Sequence, residues 1–481
     1  MEAAWKAFVV RLDPTLETST AGKFRHVRAC DFGKVQQQVL LHISKLEQES
    51  GNRMCVMSDI LDRLHPAARQ QVEAMMPAVS ADVESAAEAY AAIQKWLMAN
   101  RFWIFTDLPK SWCIVHQQEC LLFPEQPGPC CKRQKMQEPS GIHINFAGNT
   151  CKGWSSVGSN RRFGDKSELV HAVWLSERAR RGERGGEHLF ISECTVRYPC
   201  EEKLSKPLEG AHEVLHITAG PDMLGWPVRR PRNLSCGLSK ANMAWLGPTG
   251  AALQADFEAF FRRSLASTGD IFLVSPEAEV LAEQQRLGEQ RGYKVTDIIY
   301  GVNSSLHTPG QILRHADYEK KRLLQNRSSS TFFADLDQNC NAGTSSAGVL
   351  IPTQLSHGSL FAWSAKRQMT MQEVWLSHGF NLLPQSTGNS MECRISSCLG
   401  RLTPKQQQEL VGNGWHMGVL ACWSMYVFAH SIKINRTMSL MPERSLLKKG
   451  GSQFYSGCSG SFDDDKESSG AERPTVQAQS E

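Results

Sequence analysis

The chain has 481 residues, 41% of them hydrophobic and 21% charged, a composition that excludes disorder across its whole length and leaves ample material for a core. Lys and Arg number 53 against 49 Asp and Glu, a formal charge of +4. So balanced a total neither requires nor excludes a nucleic-acid partner, because a basic cleft can sit inside it. Fifteen cysteines, an odd number spread thinly, exclude a small secreted disulfide scaffold.

Residues 1–10 lack the basic and apolar regions of a signal peptide, so none is expected. The longest apolar stretch, 417–432, is shorter than the roughly 20 residues of a membrane span and has His416 and His430 near its ends. A reduced intracellular compartment is expected.

No repeat of fixed period is visible. The first 110 residues read as mostly helical. Residues 34–49 place Val39, Leu40, Ile43 and Leu46 at helical spacing, and 82–100 repeat the pattern with alanine filling. Short strands are expected at 26–30 and 54–57. Residues 111–140, rich in Pro, Cys and Gln, read as a long loop. Four short apolar runs follow, at 142–146, 188–192, 213–218 and 234–238, each with the length of a buried parallel strand. A helix at 167–180 separates the first two. Strands alternating with helices predict an α/β sheet. Helices at 251–265 and 277–291 flank an expected strand at 270–274, a charged helix is expected at 311–326, and the text is helical again from 367 to 432. The tail, 448–481, is rich in Ser, Gly and Asp and is expected to be disordered.

Three features carry chemistry. After the run at 142–146 comes Ala147-Gly148-Asn149-Thr150-Cys151-Lys152. A strand followed by a tight turn puts the Cys151 thiol at the carboxyl edge of the sheet, where open α/β folds bind ligands. Turn N–H groups and Lys152 would favour its thiolate, although a buried small hydrophobe is the plainer reading of any cysteine. The run at 188–192 ends in Glu193, which either shares that edge or caps the next turn. Arg229, Arg230 and Arg232 around Pro231 offer guanidinium forks to an anion, or form a solvated turn.

Taken together, these features resemble the C5-cytosine methyltransferase family, as a divergent branch of the DNA-specific enzymes. Cys151 with Trp154-Ser155 matches the nucleophile motif, with Thr150 where the family has Pro. Glu193-Cys194-Thr195 stands for Glu-Asn-Val, and Gly225, Pro227, Arg230 and Arg232 match the arginine motif, with Val228 in place of Gln. Downstream, Arg367, Thr370 and Glu373 with Gly379-Phe380, and then Val411-Gly412-Asn413-Gly414-Trp415-His416, look like the two late motifs, in the family's order. Asp31 resembles the acid that holds the cofactor ribose, and Asp59 the acid near the adenine. A Phe-x-Gly-x-Gly loop should precede them, but residues 7–22 contain no such glycines. Either the chain lacks its beginning or that loop has diverged.

The resemblance implies a Rossmann-like S-adenosylmethionine-dependent methyltransferase domain with a smaller inserted target-recognition region. Residues 1–110 would form the cofactor side, 111–140 a Pro/Cys-rich insertion, 141–238 the catalytic part, 239–366 the recognition region, 367–432 the return to the methyltransferase domain, and 433–481 the disordered tail. Cys151, Glu193, Arg230 and Arg232 would be catalytic. Asp31, Asp59, Gly412 and Asn413 would bind S-adenosyl-L-methionine. The implied substrate is cytosine in DNA, flipped out of the helix, with RNA as the alternative substrate. A nuclear location follows from that substrate. Arg262, Arg263, Arg314, Lys320, Lys321 and Arg322 are candidates for phosphate contacts, although 318–322 also reads as a solvated helical face. A catalytically silent nucleic-acid-binding protein is the competing function, favoured by the absent glycine loop. Finally, Cys113, His116, Cys120, Cys130 and Cys131 offer soft ligands within 19 residues at a non-standard spacing. They read either as a zinc staple or as ordinary reduced cysteines, and no metal is assigned to the reaction centre.

Overall fold

The structure is a computed structural model. It describes residues 26, 28–49, 51, 54–105, 110–121, 142–148, 152–155, 158–325, 331–341, 346–382, 393 and 395–434. Cys151, Cys130, Cys131 and the tail from 435 lie outside the described residues.

The protein is a mixed α/β structure. The first βαβ unit runs from β1 (Arg28–Cys30) through α1 (Lys34–Glu49) to β2 (Cys55–Met57), and the two strands pair in parallel. The expected helix at 34–49 forms over those residues. Its Val35 and Val39 pack on a core built by the second half of the chain. Helices α2 (Pro66–Ala74) and α3 (Val83–Ile104) follow. Asp82 caps α3 by accepting from the Ser85 N–H at 2.9 Å, and Ala86, Tyr90, Ile93 and Leu97 form its buried stripe.

The expected loop at 111–140 is corrected at its start. Residues there form a hairpin, β3 (Lys110–Cys113) and β4 (Gln118–Leu121), which joins β2 to make the sheet β1-β2-β3-β4. Its turn uses Gln117 at φ 51°, so no glycine announces it.

The second βαβ unit runs from β5 (Ile144–Gly148) through α4 (Ser167–Glu183) to β6 (Leu189–Thr195). With β7 (His212–Ala219) and β8 (Arg232–Ser239) it forms a separate four-stranded sheet, ordered β5-β6-β8-β7. Here the all-parallel expectation is corrected: β8 runs antiparallel to both neighbours. The connection from β7 to β8, residues 220–231, holds no helix, and a helix-free return on the same sheet gives antiparallel pairing.

Side chains alternate across this sheet as the pleat requires. Leu189 and Ile191 face α5 (Ala251–Phe261) and α10 (Met417–Ala429), which contribute Phe257, Trp423 and Tyr426 to one core. Phe190 faces the other way, onto Trp174 and Leu175 of α4. Helices therefore cover both faces. Strand β9 (Met243–Trp245) pairs with β14 (Ser431–Lys433), so the chain at 243–261 packs against this same layer.

Helix α4 is buried on nearly all sides because α3 covers the face that the sheet leaves open. Its charges are paired. Glu177 meets Arg63 at 2.5 Å and Arg178 at 2.6 Å, and Lys203 bonds to Glu168. Burial alone would raise the Glu177 pKa, but Arg63, Arg178 and Arg181 outweigh it and hold the carboxyl at about 2.

The other core gathers the antiparallel sheet β11 (Ala347–Gly348), β10 (Phe333–Asp335), β12 (Leu360–Ala362) and β13 (Arg367–Gln368). Helices α8 (Met371–Ser377) and α9 (Pro404–Asn413) pack on it through Val374, Trp375 and Val411, α6 (Glu277–Gln290) meets α8 where Glu283 accepts from the Met371 N–H, and α7 (Pro309–Leu324) places Tyr318 in a separate cluster with Phe332 and Phe361. The expected strand at 270–274 is instead a 3-10 turn, Gly269–Phe272. Its start is fixed by the Thr268 hydroxyl on Asp270 at 2.7 Å, and it delivers Phe272 to this core. Among the described residues no helix is long and apolar enough to cross a membrane.

Candidate active site

The loop from β7 to β8 connects the two cores. It leaves the sheet through Gly225, whose φ of +84° is left-handed backbone that suits glycine. It then runs beside Ile351. The Arg229 N–H donates to the Ile351 carbonyl and the Ile351 N–H to the Pro227 carbonyl, both at 2.9 Å. Val228 between them is fully buried in the second core. The chain then re-enters the sheet β5-β6-β8-β7 at Arg232, opposite Thr195 of β6.

That register brings two of the expected catalytic residues together. Glu193 lies near the carboxyl end of β6, and the Arg232 Nε reaches its Oε1 at 2.7 Å. Glu193 is 9% exposed. Burial raises its pKa, and Arg232 and Arg230 oppose the rise without cancelling it. The carboxyl therefore holds a proton more readily than a surface glutamate does. Its partner across β5 is Gly148, the last residue of that strand, and Cys151 follows Gly148 by three residues in the sequence.

Arg230 is placed differently. Its guanidinium donates to the carbonyls of Gln354 at 3.0 Å, Gly412 at 3.0 Å and Gly414 at 2.6 Å. It is 2% exposed and acts as a bracket, fastening the arginine loop to the chain around 354 and to the end of α9. The same contacts define Gly412. A Cβ there would lie 2.1 Å from the Ser356 backbone nitrogen, so the glycine permits two backbones to cross. Asn413 closes α9 beside it. Trp415 follows and covers the end of β5. Its Nε1 would be 3.1 Å from a Cβ on Gly148, and its ring meets Phe146 edge-on at 6.4 Å.

The two cofactor-side acids stand at the carboxyl ends of the first βαβ strands. Asp31 follows β1, and its Oδ1 accepts from the Gly33 N–H at 2.8 Å. Burial raises its pKa against that hydrogen bond, and Glu409 adds to the rise. Asp59 follows β2, and its Oδ1 caps the next turn by accepting from the Leu61 N–H at 2.9 Å. Each carboxylate has a second oxygen to offer a hydroxyl or amine donor. The structure thus unites Glu193 with Arg232, and Arg230 with Gly412, while Asp31 and Asp59 belong to the other sheet. The sequence reading assigns no role to Gln354 or Trp415. Only the position of Trp415 within the late motif signals it.

Five of the six candidate phosphate contacts are engaged within the chain. Arg262 pairs with Glu258 at 2.5 Å and Arg322 with Glu319 at 2.6 Å. Arg314 donates to the Leu336 carbonyl at 3.0 Å, Arg263 to the Arg262 carbonyl at 2.7 Å, and Lys321 to the Cys340 carbonyl.

No family model matches the chain, and no curated protein matches it. Among solved structures it is similar to a Dnmt2 methyltransferase of S. pombe, at 13% identity and a TM-score of 0.31, over 60% of this chain and 78% of that one. It is also similar to the methyltransferase EhMeth of Entamoeba histolytica, at 10% identity and a TM-score of 0.34, over 85% and 99%. A DNMT2 mutant of Spodoptera frugiperda gives 9% identity and a TM-score of 0.31, over 84% and 99%. These likenesses are distant, and the functional reading below rests on the chain's own residues.

Proposed function

We propose that the chain transfers a methyl group from S-adenosylmethionine to C5 of cytosine in DNA, through a covalent bond between Cys151 and ring C6. The observation that carries the reading is the buried Glu193–Arg232 pair at the strand end beside Gly148, with Cys151 three residues further along the sequence.

C5 of cytosine is too weak a nucleophile to be methylated unaided, and a covalent adduct activates it. The Cys151 thiolate adds to C6. Electron density moves toward N3, where a proton held on Glu193 meets it, and the raised pKa of that carboxyl supports this role. Arg232 fixes the orientation of the carboxyl and balances its charge once the proton has left. C5 then takes the methyl group. Loss of the C5 proton to solvent base expels the thiolate, and N3 hands its proton back to the Glu193 carboxylate, which restores both the aromatic ring and the acid. S-Adenosylmethionine, when bound, supplies the methyl group as an electrophile. Asp31 and Asp59, each with one carboxylate oxygen beyond its described backbone hydrogen bond, would hold its ribose hydroxyls and adenine amine. Arg230, Gly412 and Gly414 position the arginine loop and take no part in bond making. The target base must leave the duplex to reach Cys151.

The test is trapping on an oligonucleotide containing 5-fluorocytosine, with S-adenosylmethionine present. Fluorine at C5 blocks the last elimination, so an active chain remains bound to the DNA. A stable adduct from the wild type and none from Cys151→Ser supports the proposal. Absence of an adduct, with DNA binding intact, overturns it in favour of a silent binding protein. An adduct on RNA alone moves the substrate to RNA.

A further inference from the structure

The hairpin that replaces the expected loop assembles a cluster to which the proposed reaction gives no role. Cys55 on β2, Cys113 on β3, His116 in the hairpin turn and Cys120 on β4 bring four ligand atoms within 4.8 Å of one another. The His116 Nδ1 lies 3.6 Å from the Cys55 sulfur, 3.3 Å from Cys113 and 3.4 Å from Cys120. One imidazole nitrogen cannot make three good hydrogen bonds to three thiols. It can occupy one corner of a tetrahedron whose other corners are those sulfurs. Zn–S bonds of about 2.3 Å and Zn–N bonds of about 2.0–2.1 Å at tetrahedral angles give N···S edges of about 3.5–3.6 Å. The observed separations lie within a few tenths of an ångström of that.

We propose that Cys55, Cys113, His116 and Cys120 bind one structural zinc ion. Four protein ligands close the coordination sphere, which is the mark of a structural site. Three thiolates and one imidazole form a soft set that selects zinc over magnesium or calcium. The sequence cluster at 113–131 offered Cys130 and Cys131 beside Cys113, His116 and Cys120, and it missed Cys55, which lies 58 residues before Cys113.

The surrounding structure gives the ion a purpose. The sheet β1-β2-β3-β4 has strands of only three or four residues, and β2 pairs with β3 through a single register position, Met57 with Cys113. One further bond, from the Ile114 N–H to the Val56 carbonyl at 2.8 Å, joins them. Among the described residues, the buried apolar cluster between these strands is Met57 and Cys113, with partly buried neighbours. So small an apolar cluster cannot hold a hairpin, and strands this short need another support. Zinc joining β2 to both strands of the hairpin supplies it, and thereby fixes the strand that leads to Asp59.

The full chain, purified with reductant and gel-filtered, is analysed for metals by plasma mass spectrometry. The expected result is one zinc per chain, falling to near zero in Cys120→Ala and unchanged in Cys340→Ala. The double variant Cys130→Ala/Cys131→Ala is expected to keep its zinc, since the four ligands are complete without those residues. Cobalt exchanged into the wild type should show the intense sulfur-to-metal charge transfer and visible bands of a tetrahedral thiolate site, a readout that needs no variant to fold. His116→Cys should retain the metal and shift those bands. Wild type without metal, equal zinc in wild type and Cys120→Ala, loss of zinc from the Cys130/Cys131 variant, or a disulfide mapped among Cys55, Cys113 and Cys120 would each overturn the proposal.

Discussion

Arg230→Met separates the two arginines of the loop by what they hold. Methionine fills much of the volume of the arginine stem but donates nothing. Three carbonyls, those of Gln354, Gly412 and Gly414, then lose their donor in a place where Arg230 itself is 2% exposed. A buried acceptor deprived of its partner costs about 1–3 kcal/mol. The Gly412 and Gly414 carbonyls lie at the end of α9, where water can reach part of the way, and removal of the charge returns some desolvation energy. The lower end of the range therefore applies, for a total of about 3–5 kcal/mol, the usual scale for breaking a buried charged network. With a urea m-value of about 3 kcal/mol per molar, the unfolding midpoint should fall by about 1–1.7 M. The assay is urea denaturation followed by tryptophan fluorescence, with Arg232→Met alongside. Arg232 has one described carboxylate partner and a side chain 15% exposed, against three carbonyls for the more deeply buried Arg230, so its loss should cost less stability and more adduct formation. A loss below about 1 kcal/mol for Arg230→Met at an unchanged m-value would refute the bracket role.

Other perturbations test the same architecture. Gly412→Ala drives a Cβ to 2.1 Å from the Ser356 backbone and should destabilise the protein by about 1–3 kcal/mol or more in the same urea assay, whereas Gly310→Ala, with only side-chain atoms at 3.8 Å or beyond, should not. Glu193→Gln keeps the shape but cannot deliver a proton, so the single-turnover rate of adduct formation should fall by about 100-fold or more while DNA binding persists. Glu283 is buried against the N–H of Met371 at the start of α8, and burial, opposed by that N–H and by Arg286, raises its pKa from 4.5 to about 7. The native state thus keeps a proton that the unfolded chain releases above pH 4.5. The stabilisation is full below that pH and is lost as pH rises through about 7, a change of about 3 kcal/mol that Glu283→Gln should flatten in denaturation series from about pH 4 to 8.

Local periodicity was legible, and direction was not. Helix 34–49 and the second and third helices of the later half follow from spacing alone, because an apolar stripe at 3.6 residues has one stable use. The four apolar runs after 140 were legible as strands, but an apolar run does not say which way it points. The antiparallel course of β8 lies in its helix-free connection, not in Leu234–Leu238 itself. The hairpin at 110–121 escaped because its turn uses Gln117 where glycine or asparagine is usual. The buried charges of α4 escaped because Arg63, the partner of Glu177, lies 114 residues away. At the candidate site the residue types were legible, and the contacts were not. Nothing in the text of the arginine motif separates Arg232, which meets a carboxylate, from Arg230, which meets carbonyls.

The difference between those arginines explains how two separate sheets could serve one reaction. Asp31 belongs to β1-β2-β3-β4, and Glu193 to β5-β6-β8-β7. Helix α9 reaches both. Its Glu409 accepts from Gln36 of α1 at 3.3 Å and raises the pKa of Asp31, while its last turn is held by Arg230 through Gly412. Behind them, α4 is tied to the turn that follows β2 by Arg63–Glu177 and to α3 by Arg101–Glu183 at 2.8 Å. On the proposed function, the distance between a cofactor on Asp31 and a base on Glu193 would therefore be set by α9 and α4, and no strand would have to run continuously between them. A variant that loosens α9 should then weaken adduct formation without changing any group that touches the base. Gln36→Ala is the mildest such change, because it removes one bond at 3.3 Å and leaves the Glu193–Arg232 pair intact.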